Sequence, residues 1–257
     1  MSQTSVLEVE ARGPVDWLTL NRPAALNAMT QPMIEALNAY FIRKLRDRNT
    51  RVIVMRGAGE NFCAGVDVKA FVDNTITGLN DGDWMLRDIV RNMRACPQPI
   101  IALLEGAVAG GGMAFALAAD VRIASVSMKM STAFIRLGLS GAELGLSWHL
   151  RHAVGSSVAN ELMLTGRRLE APRALALGLV SEVWADAELA FAGQRMADDM
   201  VLASAESLRL TKRTIDASRS AGGLETAMEI EERAQLRGLA RPEFTAAINA
   251  FANRRKA

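Results

Sequence analysis

Two glycine-bearing stretches carry the first chemistry that this sequence offers. One is Asn61-Phe62-Cys63-Ala64-Gly65-Val66-Asp67-Val68-Lys69, and the other is Glu105-Gly106-Ala107-Val108-Ala109-Gly110-Gly111-Gly112-Met113. Each follows an apolar run that reads as a strand, and each leads toward a helix. The first N–H groups of a helix have no partner in the helix and favour negative charge. Two such donors aimed at one oxygen form an oxyanion hole, and glycine lets a carbonyl come close to the chain. Taken singly, either pattern is equally well a tight turn or a close helix contact. Other motifs fail. The nearest string to a nucleophile elbow is Gly138-Leu139-Ser140-Gly141, and Phe115 stands where a dinucleotide fingerprint needs its last glycine. His149 and His152, three apart on one helix, lack matching acidic ligands and read as ordinary helix residues, so no metal is expected.

The elements that must hold these loops follow from periodicity. Residues 6–20 read as two short strands around Gly13-Pro14. Met33, Ile34, Leu37, Phe41 and Leu45 recur at helical spacing, with Thr30 as N-cap and Pro32 in the first turn, so a helix is expected over 31–48. Val52-Ile53-Val54-Met55 reads as a strand buried on both faces, which completes a βαβ unit with parallel pairing. Further expectations are a helix over 82–96 stopped by Pro97 and Pro99, a strand over 100–104, and a buried helix within 106–119. Short strands at 121–124 and 128–130 follow, then a helix over 146–154 closed by Gly155. Helices are expected over 157–164 and 172–177 and from Glu188 onward. The pattern turns from α/β alternation to helix near 185–200, and the chain divides into residues 1–195 and 196–257.

Composition excludes several classes. At about 150 residues per domain, 257 residues make one large domain or one with an appendage. A content of 50% hydrophobic and 23% charged residues is that of a folded protein. Thirty basic against 28 acidic side chains leave a net charge of +2, too balanced for a nucleic-acid partner, and aromatics are only 5%. The long uncharged stretch at 106–119 is too short for a membrane span. Cys63 and Cys96 form neither a disulfide framework nor a zinc motif, and no leader is visible, so a cytoplasmic location is expected.

Together the two loops resemble those of the crotonase, or enoyl-CoA hydratase/isomerase, superfamily. The similar strings are Leu20-Asn21-Arg22-Pro23 with Leu26-Asn27-Ala28, the segment from Phe62 to Lys69, and Gly106-Ala107-Val108-Ala109-Gly110-Gly111-Gly112. Ala119-Asp120-Val121-Arg122-Ile123-Ala124, Leu164-Thr165-Gly166 and Ala176-Leu177-Gly178-Leu179-Val180 follow in order, and the basic end from Phe251 to Lys256 resembles the family's last helix. The resemblance implies an α/β spiral of ββα turns with a C-terminal helical region for trimerisation, as a homotrimer or dimer of trimers. It implies an acyl-CoA thioester as substrate and no separate cofactor. The N–H groups of Val66 and Gly111 would hold the thioester oxygen as it becomes an enolate. Arg22, Ala25, Leu26, Ala64, Asp67, Val68 and Lys69 would bind coenzyme A, with Lys69 toward its phosphates. Arg22 would stand in for a basic residue that relatives carry where this chain has Ala24.

The chain departs from the hydratase pattern. The family's two water-holding glutamates fall here on Ala114 and Phe134, neither of which transfers a proton; Phe134 is left to contact the substrate. Glu143, in a glycine-rich turn, stands close to where relatives with other reactions place an acid. Apolar neighbours Leu139, Leu144 and Phe134 would raise its pKa toward the range useful for proton transfer. A helix cap or an arginine pair is its plainer use. The favoured function is therefore double-bond isomerisation with one carboxylate, in fatty acid metabolism. Atypical hydration, nucleophilic chemistry at Glu143 and silent acyl-CoA binding are the alternatives. Asp81 and Asp83 read as helix caps and Asp120 as an ion-pair partner, while Phe71, Trp84, Met85 and Met113 line the acyl tunnel or fill the core.

Overall fold

Gly13, at φ +60°, reverses the chain between β1 (Leu7–Arg12) and β2 (Val15–Leu20), which pair antiparallel as expected. The computed structural model describes residues 5–73, 75–76 and 85–254; Asp81, Asp83, Trp84, Arg255 and Lys256 lie outside them. From β2 the chain runs through α1 (Gln31–Lys44) to β3 (Val52–Gly57), parallel to β2, so the βαβ unit is present. The helix ends at Lys44 rather than at residue 48, and beyond it the Lys44 ammonium pairs with Asp16 and Asp47, both at 2.6 Å. After β3 come α2 (Val68–Val72) and α3 (Met85–Ala95).

The next two turns of chain repeat one pattern. β4 (Ile100–Leu104) enters the main sheet, β5 (Ala107–Ala109) enters a second sheet, and α4 (Gly111–Ala118) returns. β6 (Val121–Ser125), β7 (Lys129–Ser131) and α5 (Leu146–Thr165) do the same. β8 (Leu169–Glu170), α6 (Ala171–Ala176) and β9 (Glu182–Trp184) complete both sheets. The main sheet has the order β1-β2-β3-β4-β6-β9, parallel except for β1; the second has the order β5-β7-β8. Single bridges extend the second layer, from Val108 to Cys63 and from Val66 to Met29. Each turn thus contributes to both layers before its helix.

Alternation along a strand explains the continuous apolar runs. Ile53 and Met55 face the core under α1, α3 and α4, while Val52 and Val54 face the opposite core. That second core lies under α7 (Leu189–Val201), whose Leu189, Ala192 and Ala197 sit on Trp17, Ile101 and Leu103. The strand β5 corrects the helix expected from residue 106: Gly106 at φ +50° and Gly110 at φ +52° bracket it, and helix starts only at Gly111. Gly155, at φ +75°, interrupts α5 where a helix end was expected.

Three further helices follow, α8 (Ala205–Ser218), α9 (Leu224–Leu239) and α10 (Pro242–Arg254). Buried Lys212 ties α8 to the core, donating to the carbonyls of Met93 at 3.0 Å and Gln98 at 2.9 Å. It also pairs with Asp120 at 3.0 Å, which pairs with Arg94 at 2.9 Å, so Asp120 is the ion-pair residue expected. α9 buries none of its residues and exposes Leu224, Met228, Leu236 and Leu239. Among the described residues no helix is long and apolar enough to cross a membrane.

Candidate active site

The two glycine loops lie side by side. Cys63 donates to the Ala107 carbonyl at 3.0 Å and accepts from Ala109 N–H at 2.9 Å, so the first loop runs along β5. Gly65 and Gly112 make this approach close. A Cβ on Gly65 would stand 2.9 Å from the Ala109 carbonyl oxygen and 3.5 Å from the Gly111 nitrogen; one on Gly112 would stand 2.3 Å from the Cys63 oxygen. On its other side the first loop is bonded to Met29, which donates to the Gly65 carbonyl at 2.7 Å and accepts from Asp67 N–H at 2.9 Å. Those two bonds turn the neighbours of Val66 toward Met29 and therefore turn the Val66 N–H away. Among the described residues, the N–H groups of Val66 and Gly111 have no acceptor. Gly111 begins a helix whose eight residues are all buried, so its dipole ends at this point.

A third segment frames the loops from the start of the chain. Asn27 is wholly buried at φ +53°; its amide donates to the carbonyls of Ala58 at 2.9 Å and Asn61 at 2.6 Å and accepts from Arg22 N–H at 2.8 Å. The Leu26 carbonyl accepts from Ala64 N–H at 3.0 Å. The Arg22 guanidinium pairs with Asp67 at 3.0 Å and also donates to the Ala28 carbonyl. Burial alone would raise the Asp67 carboxyl, but the Arg22 hydrogen bond and the N–H groups of Lys69 and Ala70 outweigh it and hold it below its ordinary range. Arg22, Ala25, Leu26, Ala64 and Asp67 are thus one neighbourhood, with the Arg22 charge already paired. Val68 and Lys69 are exposed, and among the described residues the Lys69 ammonium has no partner. Asn27 and Met29 are the residues that sequence reasoning did not single out.

Glu143 lies in the loop before α5. Leu144 beside it sits at φ +53° and turns its side chain inward, where its Cδ1 lies 3.8 Å from the position of a Gly111 Cβ. The loop therefore abuts the second glycine loop. Glu143 itself is exposed, and its carboxylate has no partner among the described residues. The apolar envelope expected around it is not formed: Leu139 is exposed, while Leu144 and Phe134 point into the core. The Phe134 ring lies 3.5 Å from the position of a Gly110 Cβ, and Ala114 is wholly buried on α4.

Cys63 and His149 are structural. Burial pushes the Cys63 thiol up to about 12, so it is no nucleophile at neutral pH. His149 is buried against Gly145, with an unpaired Nδ1, and burial together with Arg94, Arg219 and Arg122 holds it down at about 4. His152 faces outward and stacks on Trp148 with ring centroids 4.2 Å apart, so the two histidines do not converge. Among the described residues no cluster of three candidate ligands could hold a metal. A cavity of about 720 Å³ is lined by Glu60, Glu105, Lys129, Arg136 and Asp186 and includes neither Val66, Gly111 nor Glu143.

The sequence profile of the enoyl-CoA hydratase/isomerase family matches residues 10–257. The chain belongs to this family. It is 38% identical over 238 residues to the probable enoyl-CoA hydratase EchA12 of Mycobacterium tuberculosis, covering 90% of this chain and 84% of that protein. The crystal structure of an enoyl-CoA hydratase from Bacillus anthracis superposes with a TM-score of 0.92 at 27% identity, over 97% of this chain and 96% of that one. A monofunctional enoyl CoA isomerase from M. smegmatis superposes with a TM-score of 0.75 at 34% identity, over 88% of this chain and 99% of that one. This member of the enoyl-CoA hydratase/isomerase family is accordingly an acyl-CoA enzyme, a lyase or an isomerase, and its α/β spiral with helical C-terminal region is the crotonase fold.

Proposed function

We propose that the chain moves the double bond of an enoyl-CoA thioester, holding the enolate in an oxyanion hole and carrying the proton on Glu143. The observation that supports this is the pair of unpartnered N–H groups, Val66 and Gly111, on two loops in contact. A thioester oxygen between them gains two hydrogen bonds that strengthen as it becomes negative. Glu143 takes a proton from the α-carbon of a 3-enoyl thioester, and the C–H electrons form C1=C2 as the carbonyl pair moves onto the thioester oxygen; when that pair returns to the carbonyl, C1=C2 becomes C2=C3 and the C3=C4 electrons bind the proton that the same carboxyl returns to the γ-carbon. Nothing is gained or lost overall, so one carboxylate suffices. Ala114, buried, and Phe134, packed on Gly110, offer no acid to hold a water. The Ser140 hydroxyl already accepts from Ala142 N–H within its own loop, which weakens it as a helper for hydration.

In this reading Lys69 meets the phosphates of coenzyme A, and Ala64 and Leu26 line its path. No cofactor is needed beyond the coenzyme A of the substrate. The uncovered apolar residues of α9 and α10, among them Leu236, Leu239, Phe244 and Ile248, support self-association, as a homotrimer or a dimer of trimers. Proton NMR of the enzyme with a 3-enoyl-CoA in deuterium oxide tests the reaction. The expected result is the conjugated 2-enoyl product with deuterium at the α- or γ-carbon. A 3-hydroxyacyl product instead makes the chain a hydratase, and bound but unchanged substrate points to a different thioester reaction or to silent binding.

A further inference from the structure

We infer that Met29 is a positioning residue that sets the distance between the two oxyanion donors, an inference that rests on the oxyanion hole proposed above. Met29 reaches both donors' loops, and by different means. Its backbone brackets Val66, through the bonds to Gly65 and Asp67 at 2.7 and 2.9 Å. Its side chain lies against the other donor: a Cβ on Gly111 would fall 2.6 Å from the Met29 Cε. The side chain is wholly buried, so its thioether fills the space between the loops and not solvent.

The residue is itself held from the rear. Leu26 and Asn27 stand in the left-handed region at φ +51° and +53°, a costly conformation that the Asn27 amide maintains by binding Ala58 and Asn61. The Arg22–Asp67 pair and the Arg22 bond to the Ala28 carbonyl fix the residue before Met29 and the residue after Val66. Met29 thus has a fixed backbone on the Val66 side and a defined reach on the Gly111 side. A shorter side chain leaves a gap that the Gly111 loop can enter, moving one donor off the oxygen. A misplacement near 1 Å costs about a hundredfold in rate.

The test uses butyryl-CoA labelled with carbon-13 at its carbonyl, bound to the intact enzyme. The carbonyl stretch in difference infrared spectra falls in proportion to the hydrogen bonding at its oxygen. Bound to wild type, it is expected well below the free thioester. In Met29→Leu, which lacks the Cε reach, it is expected partway back, with kcat down about tenfold; in Met29→Ala, close to the free value, with kcat down about a hundredfold. Thioester affinity, dominated by coenzyme A, is expected to stay near wild type in both. A wild-type complex without any shift overturns the oxyanion hole itself. A shifted wild type whose folded variants keep both shift and kcat overturns the role of Met29 alone. Should Met29→Ala not fold, Met29→Leu decides by the same two readouts.

Discussion

One methyl group placed on Gly65 tests the oxyanion hole at its narrowest point. Gly65 stands at φ +100°, and an alanine Cβ there falls 2.9 Å from the carbonyl oxygen of Ala109. That oxygen is backbone of β5, and the N–H of the same residue is bonded to Cys63 at 2.9 Å, so the strand cannot swing aside alone. The loop bearing Val66 must retreat from the loop bearing Gly111 by a few tenths of an ångström. Two costs follow. The left-handed backbone costs about 1–2 kcal/mol of stability. The retreat carries one donor out of the range of about 2.7–3.1 Å in which it works, and loss of one such donor lowers kcat about 10²–10³-fold, or roughly 2.7–4 kcal/mol. Gly178→Ala separates the two costs, because Gly178 is at φ +70° with nothing within 4 Å of its Cβ. Both variants are expected to lose about 2–8 °C in Tm, taking roughly 2–4 °C per kcal/mol for a chain of this size. Only Gly65→Ala is expected to lose kcat, read as the rise of conjugated-thioester absorbance from a 3-enoyl-CoA. A folded Gly65→Ala with wild-type kcat refutes the reasoning.

Other perturbations separate the remaining parts. Glu143→Gln is expected to keep acyl-CoA affinity and lower kcat by about 10²–10⁴, the usual weight of a general base; full retained activity removes Glu143 from the chemistry. His149, held down at about 4 in the fold against an ordinary 6.5, stays neutral while the unfolded chain takes up a proton. Stability therefore falls as the pH drops from about 6.5 to 4, by roughly 3 kcal/mol over the window. Urea midpoints at a series of pH values check this, with His149→Asn expected to flatten the curve. Asp67, whose carboxyl is held low in the fold, stabilises fully above its ordinary pKa and loses that contribution as the pH falls through the depressed one. The advantage of wild type over Asp67→Asn in urea unfolding is thus expected at pH 6 and should shrink below about pH 4.

What could be read ahead of the structure was whatever depends on period. Val52 to Met55 alternate between two cores, and a run apolar at every position announces that directly. The family motifs likewise marked the two loops, which do lie in contact. Ala107–Ala109 escapes the sequence reading because the glycines around it pass for the start of the helix that follows, and Glu182–Trp184 because nothing in its short run sets it apart from the helices on either side. Asn27 falls within a family string, but its role is not legible there: it depends on a left-handed backbone and on carbonyls 31 and 34 positions away. The surroundings of Glu143 were misjudged because adjacency in sequence says nothing about direction. Leu144 at φ +53° points at Gly111, and that same turn leaves Glu143 facing outward.

The proposed division of labour also explains how the loops of this chain can keep their geometry without the acids. In that proposal the oxyanion donors are backbone N–H groups, so the side chains at positions 66 and 111 matter only for the space they leave. Valine serves at one and glycine at the other, and what must be kept is the scaffold around them: Gly65, Gly112, Asn27 and Met29, each wholly or largely buried. The groups that move protons are side chains, and any one of them can change without disturbing that scaffold. Ala114 and Phe134 are packed as core residues, with Phe134 closing on Gly110, so the absence of acids there costs the fold nothing. A reaction that adds water must place the water as well as the proton, and one exposed carboxylate is a poor substitute for two facing ones. A reaction that only relocates a proton along an enolate needs a single group that reaches two carbons in turn, a demand that a carboxylate at the rim of the second glycine loop can meet.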